Sequence, residues 1–289
     1  MIAATAPAPD PPAEVRHASW LELFFDLVFV VAVANADTGL LHHLNASGLA
    51  VFVALMAVIW WAWIGVTFYL TRFPGEEGLQ RFLILAAMFG SLVMAVGAPA
   101  VFRGASVEFA LGYAAVRTAL VAMYVRSAVL WPESREISYF YTAWFSVGAI
   151  AWTLSVFVPP PWRYVIWAAA FTVEIVAPAA ARTLLARFPV DSSHLPERIG
   201  TFVIIVLGEA VVSVGAAAAG MVLTGTEAVI LATGFLIAAA LWSSYFDAVE
   251  WGGRRSLERS RADGRLARDL YSYGHFPLVV GITASAAGV

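Results

Sequence analysis

The chain contains no cysteine and no lysine. Without cysteine it has no disulfides, no thiolate metal site and no cysteine nucleophile. Without lysine, all 17 basic residues are arginine, and a Schiff base is excluded; a retinal protein or a lysine aldolase therefore drops out. Charge is scarce as well: 13% of the 289 residues are charged, against roughly 25% in soluble domains. A net charge of −3 argues neither for nor against nucleic acid, and no nucleic-acid partner is expected. What is abundant is apolar surface, with 61% hydrophobic residues and a mean hydropathy of +0.80. One core cannot hide that surplus, so the expected solvent is the lipid bilayer and the expected fold class is all-α, a polytopic transmembrane helix bundle.

Nine apolar segments are long enough to count as spans, near 19–37, 49–71, 81–102, 107–130, 138–158, 163–183, 199–222, 226–248 and 270–289. Most approach the ~20 residues needed to cross ~30 Å of hydrocarbon, and none shows the alternation of a membrane strand. Residues 1–18 are rich in Pro and Ala and read as a flexible extension, leaving 19–289 as a single transmembrane domain. The extension lacks the basic-then-apolar order of a signal peptide, so the first apolar segment is expected to be retained. The last segment runs to "ASAAGV" with no tail, as though the chain were cut at a membrane face.

Arginine placement sets the expected topology. With the N-terminus cytoplasmic, fourteen arginines fall in inner segments: Arg16, Arg72, Arg81, Arg126, Arg135, Arg182, Arg187, Arg198, Arg254, Arg255, Arg259, Arg261, Arg265 and Arg268. Only Arg103 and Arg163 fall in outer loops, and Arg117 lies within a span. Such a bias is the positive-inside pattern. The inner loop 250–269 carries both signs of charge and reads as a solvated connector. No internal repeat is apparent, so an inverted-repeat transporter is not indicated.

Ionisable groups within spans are functional candidates, each costing at least ~2.5–3.5 kcal/mol at a helix centre. They are Glu22, Asp26, Arg117, Glu174, Glu209, Asp247 and His275. On the expected spans Asp26 lies ~10 Å in from the cytoplasmic start, His275 ~8 Å, and Glu209 ~15 Å, near the midplane. Glu22 and Asp26 are spaced i, i+4 and share one helical face, where like charges repel unless protonated or paired. Asn35 and Asp37, at the other end of that helix, read as interfacial. In "HLPERIGTFVIIVLGEAVVSVG" (194–215), Pro196, Glu197 and Arg198 mark a helix start. Glu209 follows three turns above Arg198, beside Gly208, a residue that would admit a neighbouring helix. Arg117 is a candidate partner for Glu209 or for Glu174 at a similar depth. His275, in "YSYGHFPLV" with Tyr273, is a satisfied hydrogen-bonder or a relay. Trp60, Trp61 and Trp63 fit helix packing or cavity lining.

"SWLELFFDLVFVVAV" and "PERIGTFVIIVLGEAVV" together resemble the two signature segments of the bacterial low temperature requirement A (LtrA) family. "LWSSYFD" (241–247) and "YSYGHFPLVVGI" (271–282) are similar to that family's later segments. The resemblance spans essentially the whole chain and implies a multi-pass protein of the bacterial inner (cytoplasmic) membrane. Members are typically longer, with further C-terminal apolar segments, and no settled activity carries over. The motif positions it marks are Glu22, Phe25, Asp26, Glu197, Arg198, Gly208, Glu209, Asp247, Tyr273 and His275.

Three function classes fit. In the first, Glu22, Asp26, Arg117, Glu174, Arg198, Glu209, Asp247, Tyr273 and His275 contribute to the path of a proton- or cation-linked transporter or channel. A second is an intramembrane enzyme acting on a lipid or isoprenoid diphosphate, with Mg²⁺ held by Glu22, Asp26, Asp247 and Glu250. The third is a sensor or scaffold whose polar groups only specify packing. The expected site is a carboxylate cluster in the inner half, with Glu22 and Asp26 as one wall and Glu209 at its deep end. A shared cavity requires the first, seventh, eighth and ninth spans to pack together.

Overall fold

A computed structural model of the chain describes residues 17–73, 75, 77–188, 191, 193–218, 224–260 and 264–287. The expected extension at 1–18 lies outside the described residues except for its last two, as do Arg16 and Arg261. The helices are α1 (Trp20–Leu41), α2 (Ala46–Arg72), α3 (Gly78–Val101), α4 (Val107–Leu130), α5 (Arg135–Ser155) and α6 (Trp162–Ala180). They continue with α7 (Arg182–Arg187), α8 (His194–Ala218), α9 (Gly225–Ser244), α10 (Trp251–Arg259), α11 (Gly264–Ala267) and α12 (Phe276–Ala287). Two π-helical turns, Tyr245–Glu250 and Arg268–Gly274, link α9 to α10 and α11 to α12. No strand occurs among the described residues, and the expectation of an all-α bundle holds.

Each helix satisfies its own backbone groups, which is what hydrocarbon demands of a spanning element. Seven runs among the described residues are long and apolar enough to cross a membrane: α1, α2, α3, α4, α6, α8 and the stretch Gly225–Leu257. Two of the nine expected spans fall outside this set. The segment expected at 138–158 is α5, long enough but interrupted by Ser138, Tyr139, Tyr141, Thr142 and Ser146. The segment expected at 270–289 is broken at His275, after the π-helical turn; α12 keeps 12 residues, about 18 Å of rise. Large apolar side chains face outward, among them Phe24 and Leu27 on α1, Phe82, Phe89 and Val96 on α3, and Ile150 and Leu154 on α5. A belt of this kind belongs in lipid.

Inside the bundle, α3 packs on α4, α4 on α5, and α1 on both α2 and α3. Small residues permit the closest approach: a methyl group at Gly112 would collide with the backbone of Met94. The packing required of the expected first, seventh, eighth and ninth spans is present, since α1, α8 and α12 contact one another and α9 lies against α8 and α12.

Candidate functional site

α1 and α8 run parallel and in register, so that a residue on α1 meets the residue 172 positions later on α8. Both helices start at polar caps. Ser19 and Glu22 form a capping box at α1, the Ser19 hydroxyl accepting from Glu22 N–H (3.2 Å) and the Glu22 carboxylate from Ser19 N–H (2.8 Å). At α8, Asp191 Oδ1 accepts from the amides of Ser193 and His194, both at 2.9 Å, and from the Ser193 hydroxyl at 2.7 Å. Burial alone would raise the Asp191 carboxyl. The His194 and Ser193 donors and the neighbouring imidazole outweigh it and hold the group below the usual carboxylate range.

The first rung of the seam joins Glu22 Oε2 to His194 Nε2 at 3.2 Å. In the second, Arg198 grips Asp26 at two points, Nη1 to Oδ2 at 2.8 Å and Nη2 to Oδ1 at 2.7 Å. Trp63 Nε1 on α2 donates to the same Oδ1 at 2.8 Å, and its ring stacks on Phe202 with centroids 4.1 Å apart. Neither Asp26 nor Arg198 has any exposure. Ala18 N–H also reaches Glu197 across the foot of the seam, at 3.3 Å. The like-charge problem posed by Glu22 and Asp26 is solved by complementary pairing: His194 and Arg198 carry the same i, i+4 spacing on the facing helix.

The top rung pairs two acids. Asp37 and Glu209 line one narrow cleft of about 10 Å³ together with Ser213 on α8 and Thr283 on α12. Asp37 is buried, and its Oδ1 has no hydrogen-bond partner among the described residues. Glu209 Oε1 accepts from Ser213 Oγ at 3.2 Å. Two expectations are corrected here. Asp37, expected to be solvated, is buried near the end of α1. Glu209 lies farther along its helix than expected: α8 begins at His194 rather than 199, placing Glu209 about 22 Å along it, in its far half. The acids therefore form two stations about 16 Å apart along the seam rather than one inner cluster. Phe29, Val33, Val203 and Val206, all buried, fill the space between the stations. Gly208 lies on the outside of the bundle, and a Cβ there meets nothing within 4 Å, so it admits no close neighbour.

The remaining candidates lie elsewhere. Arg117 on α4 pairs with Glu174 on α6 (Nη2 to Oε2, 2.7 Å), and both side chains are fully buried. Tyr113 Oη accepts from Arg117 Nη2 at 2.6 Å and donates to Glu174 Oε2 at 2.5 Å, and Arg117 also reaches the carbonyl of Trp61. Arg117 is thus the partner of Glu174 and not of Glu209. Tyr273 donates to the Ile175 carbonyl at 2.7 Å, close to the turn broken by Pro178. His275 is buried, its Nδ1 at 2.8 Å from the Leu270 carbonyl and its ring stacked on Tyr271. Asp247 is on the outer side of its π-helical turn, accepting from Ser243 Oγ at 2.5 Å. Glu250 is taken by Arg254 at 2.7 Å. The four carboxylates expected to hold Mg²⁺ are therefore committed to other partners, and among the described residues no three His, Asp or Glu side chains gather as metal ligands. Sequence reasoning missed His194, Trp63 and Asp37. The signal for His194 was its spacing to Arg198, which matches that of Glu22 to Asp26. For Asp37 it was the interval of eleven residues that separates both Asp26 from Asp37 and Arg198 from Glu209.

Comparison with known proteins agrees with the motif placement. Residues 17–289 match the family described as bacterial low temperature requirement A protein (LtrA). An uncharacterised protein of Rhizobium meliloti (strain 1021) is 31% identical over 280 residues, which cover 94% of this chain and 68% of that protein. No solved structure matches. The chain belongs to the LtrA family and is a multi-pass membrane protein.

Proposed function

We propose that this LtrA-family protein moves protons or a small cation across the bacterial inner membrane along the α1–α8 seam. The observation that carries the reading is the top rung. Asp37 and Glu209 share a small cleft in apolar surroundings, and Asp37 keeps a buried oxygen without a partner. Two facing carboxylates in a low dielectric repel, and a proton or a small cation between them is what relieves the repulsion. The hydroxyls of Ser213 and Thr283 add neutral oxygen ligands or relay groups. With the arginine-rich ends placed in the cytoplasm, the Glu22–His194 and Asp26–Arg198 rungs form the inner station. In this arrangement the path is closed twice. The two-point ion pair occupies the inner station, and the Phe29–Val206 layer separates it from the outer one. Transport then requires the Asp26–Arg198 pair to open and the apolar layer to part.

The test is a flux assay in proteoliposomes with a pH-sensitive dye inside, comparing the wild type with Glu209→Gln. Dye response in the wild type and none in a folded Glu209→Gln protein supports the reading. If the wild type moves nothing under gradients of H⁺, Na⁺ or K⁺, ion-linked transport is abandoned and the seam is a packing device.

A further inference from the structure

Away from the seam, three cavities run end to end along the groove between α2 and α6. The first, about 40 Å³, lies where α2 ends; Arg72, Arg268, Tyr124 and Tyr141 are in its lining. It shares Trp61 and Ser272 with a second cavity of about 100 Å³. That one shares Ala57 and Phe171 with a third, of about 710 Å³, walled by Val58, Trp152 and Trp167. One end of the groove is cationic, its waist is aromatic and its far end is apolar.

Among the described residues, no carboxylate balances Arg72 at the cationic end, and its Nε and Nη2 are buried without a hydrogen-bond partner. Arg268 faces the same cavity, but its guanidinium holds the Pro178 carbonyl at 3.0 Å and the carboxylate of Asp269. Glu174, on α6, is consumed by Arg117 and Tyr113. The Arg72 guanidinium touches the Tyr124 hydroxyl but keeps two buried donors without a partner and its charge without a carboxylate among the described residues, a costly arrangement unless an anion enters. The guanidinium fork matches a phosphate in two-point geometry. From Arg72 back to Val58 the groove follows α2 for about 21 Å, longer than half of a ~30 Å hydrocarbon core.

We propose that this groove binds a lipid with a phosphomonoester head: the phosphate on Arg72 with Arg268 behind it, the chain along Trp61 and Phe171 into the apolar cavity. The site is independent of the α1–α8 seam and of any transport there.

The test uses the purified full chain in detergent, with thermal unfolding followed during titration with dioleoyl phosphatidic acid, dioleoylglycerol or inorganic phosphate. Phosphatidic acid is expected to raise the unfolding temperature saturably while the other two do not. Arg72→Gln should weaken that response at least tenfold, measured against the unfolding temperature of the free variant, which also loses the contact of Arg72 with Tyr124. Ala57→Trp, which fills the waist, should weaken it as well. Equal responses from wild type and Arg72→Gln, or from phosphatidic acid and dioleoylglycerol, overturn the proposal. Inorganic phosphate acting as strongly as phosphatidic acid would show a free-anion pocket and overturn the lipid assignment.

Discussion

Asp26 on α1 and Arg198 on α8 form a two-point ion pair with no exposure on either side, and Trp63 on α2 supplies a third hydrogen bond to the same carboxylate. It ties three helices at one height. Breaking one member leaves the other charge buried and alone, a loss of about 3–5 kcal/mol in soluble hosts. Replacing both members by apolar groups of similar size removes the orphan. Asp26→Asn or Arg198→Met is therefore expected to lower the unfolding temperature sharply, and the Asp26→Leu/Arg198→Met double variant to recover most of the loss. A double variant as unstable as the sum of the singles would refute this account.

The top rung predicts the opposite sign. Removing one of two facing acids relieves repulsion, so Asp37→Asn is expected to leave the unfolding temperature unchanged or raised while abolishing any flux that Glu209→Gln abolishes. Thermal unfolding and the liposome assay, run on the same preparation, check both halves.

Two glycines separate required closeness from chance. A methyl group at Gly148 on α5 would overlap Glu174 Oε1, whereas one at Gly208 meets nothing. Gly148→Ala should destabilise by displacing the buried Arg117–Glu174 pair. Gly208→Ala should be neutral or stabilising by up to about 1 kcal/mol, the helix-propensity difference. Comparing the two unfolding temperatures decides it.

At the start of α8, Asp191 caps the helix that carries His194 and Arg198. Its carboxyl is held low in the folded chain, so its stabilisation is fully present above the unfolded carboxyl range of about 4 and is lost as pH falls through the lower folded value. Asp191→Ala should cost about 1 kcal/mol at neutral pH. The gap between variant and wild type should close on acidification, which a pH series of unfolding temperatures reads directly.

The amino-acid sequence by itself determined the bilayer as solvent, the helical class and the intramembrane ionisable residues. Each follows from composition or from runs whose length and polarity are local properties. It also carried the pairing code of the seam, in the matched spacings of Glu22 to Asp26 and His194 to Arg198. Only the tertiary structure decided which partner each charge takes. In a soluble helix the buried face is marked by an apolar stripe, but a helix in lipid is apolar all round, and the stripe that would orient it is erased. Arg117 therefore looked equally suited to Glu209 and Glu174 until α4 was seen beside α6. Depth was lost for a related reason. It is counted from the helix start, and a polar cap such as Asp191 moves that start by five residues, enough to carry Glu209 into the far half of its helix, opposite Asp37.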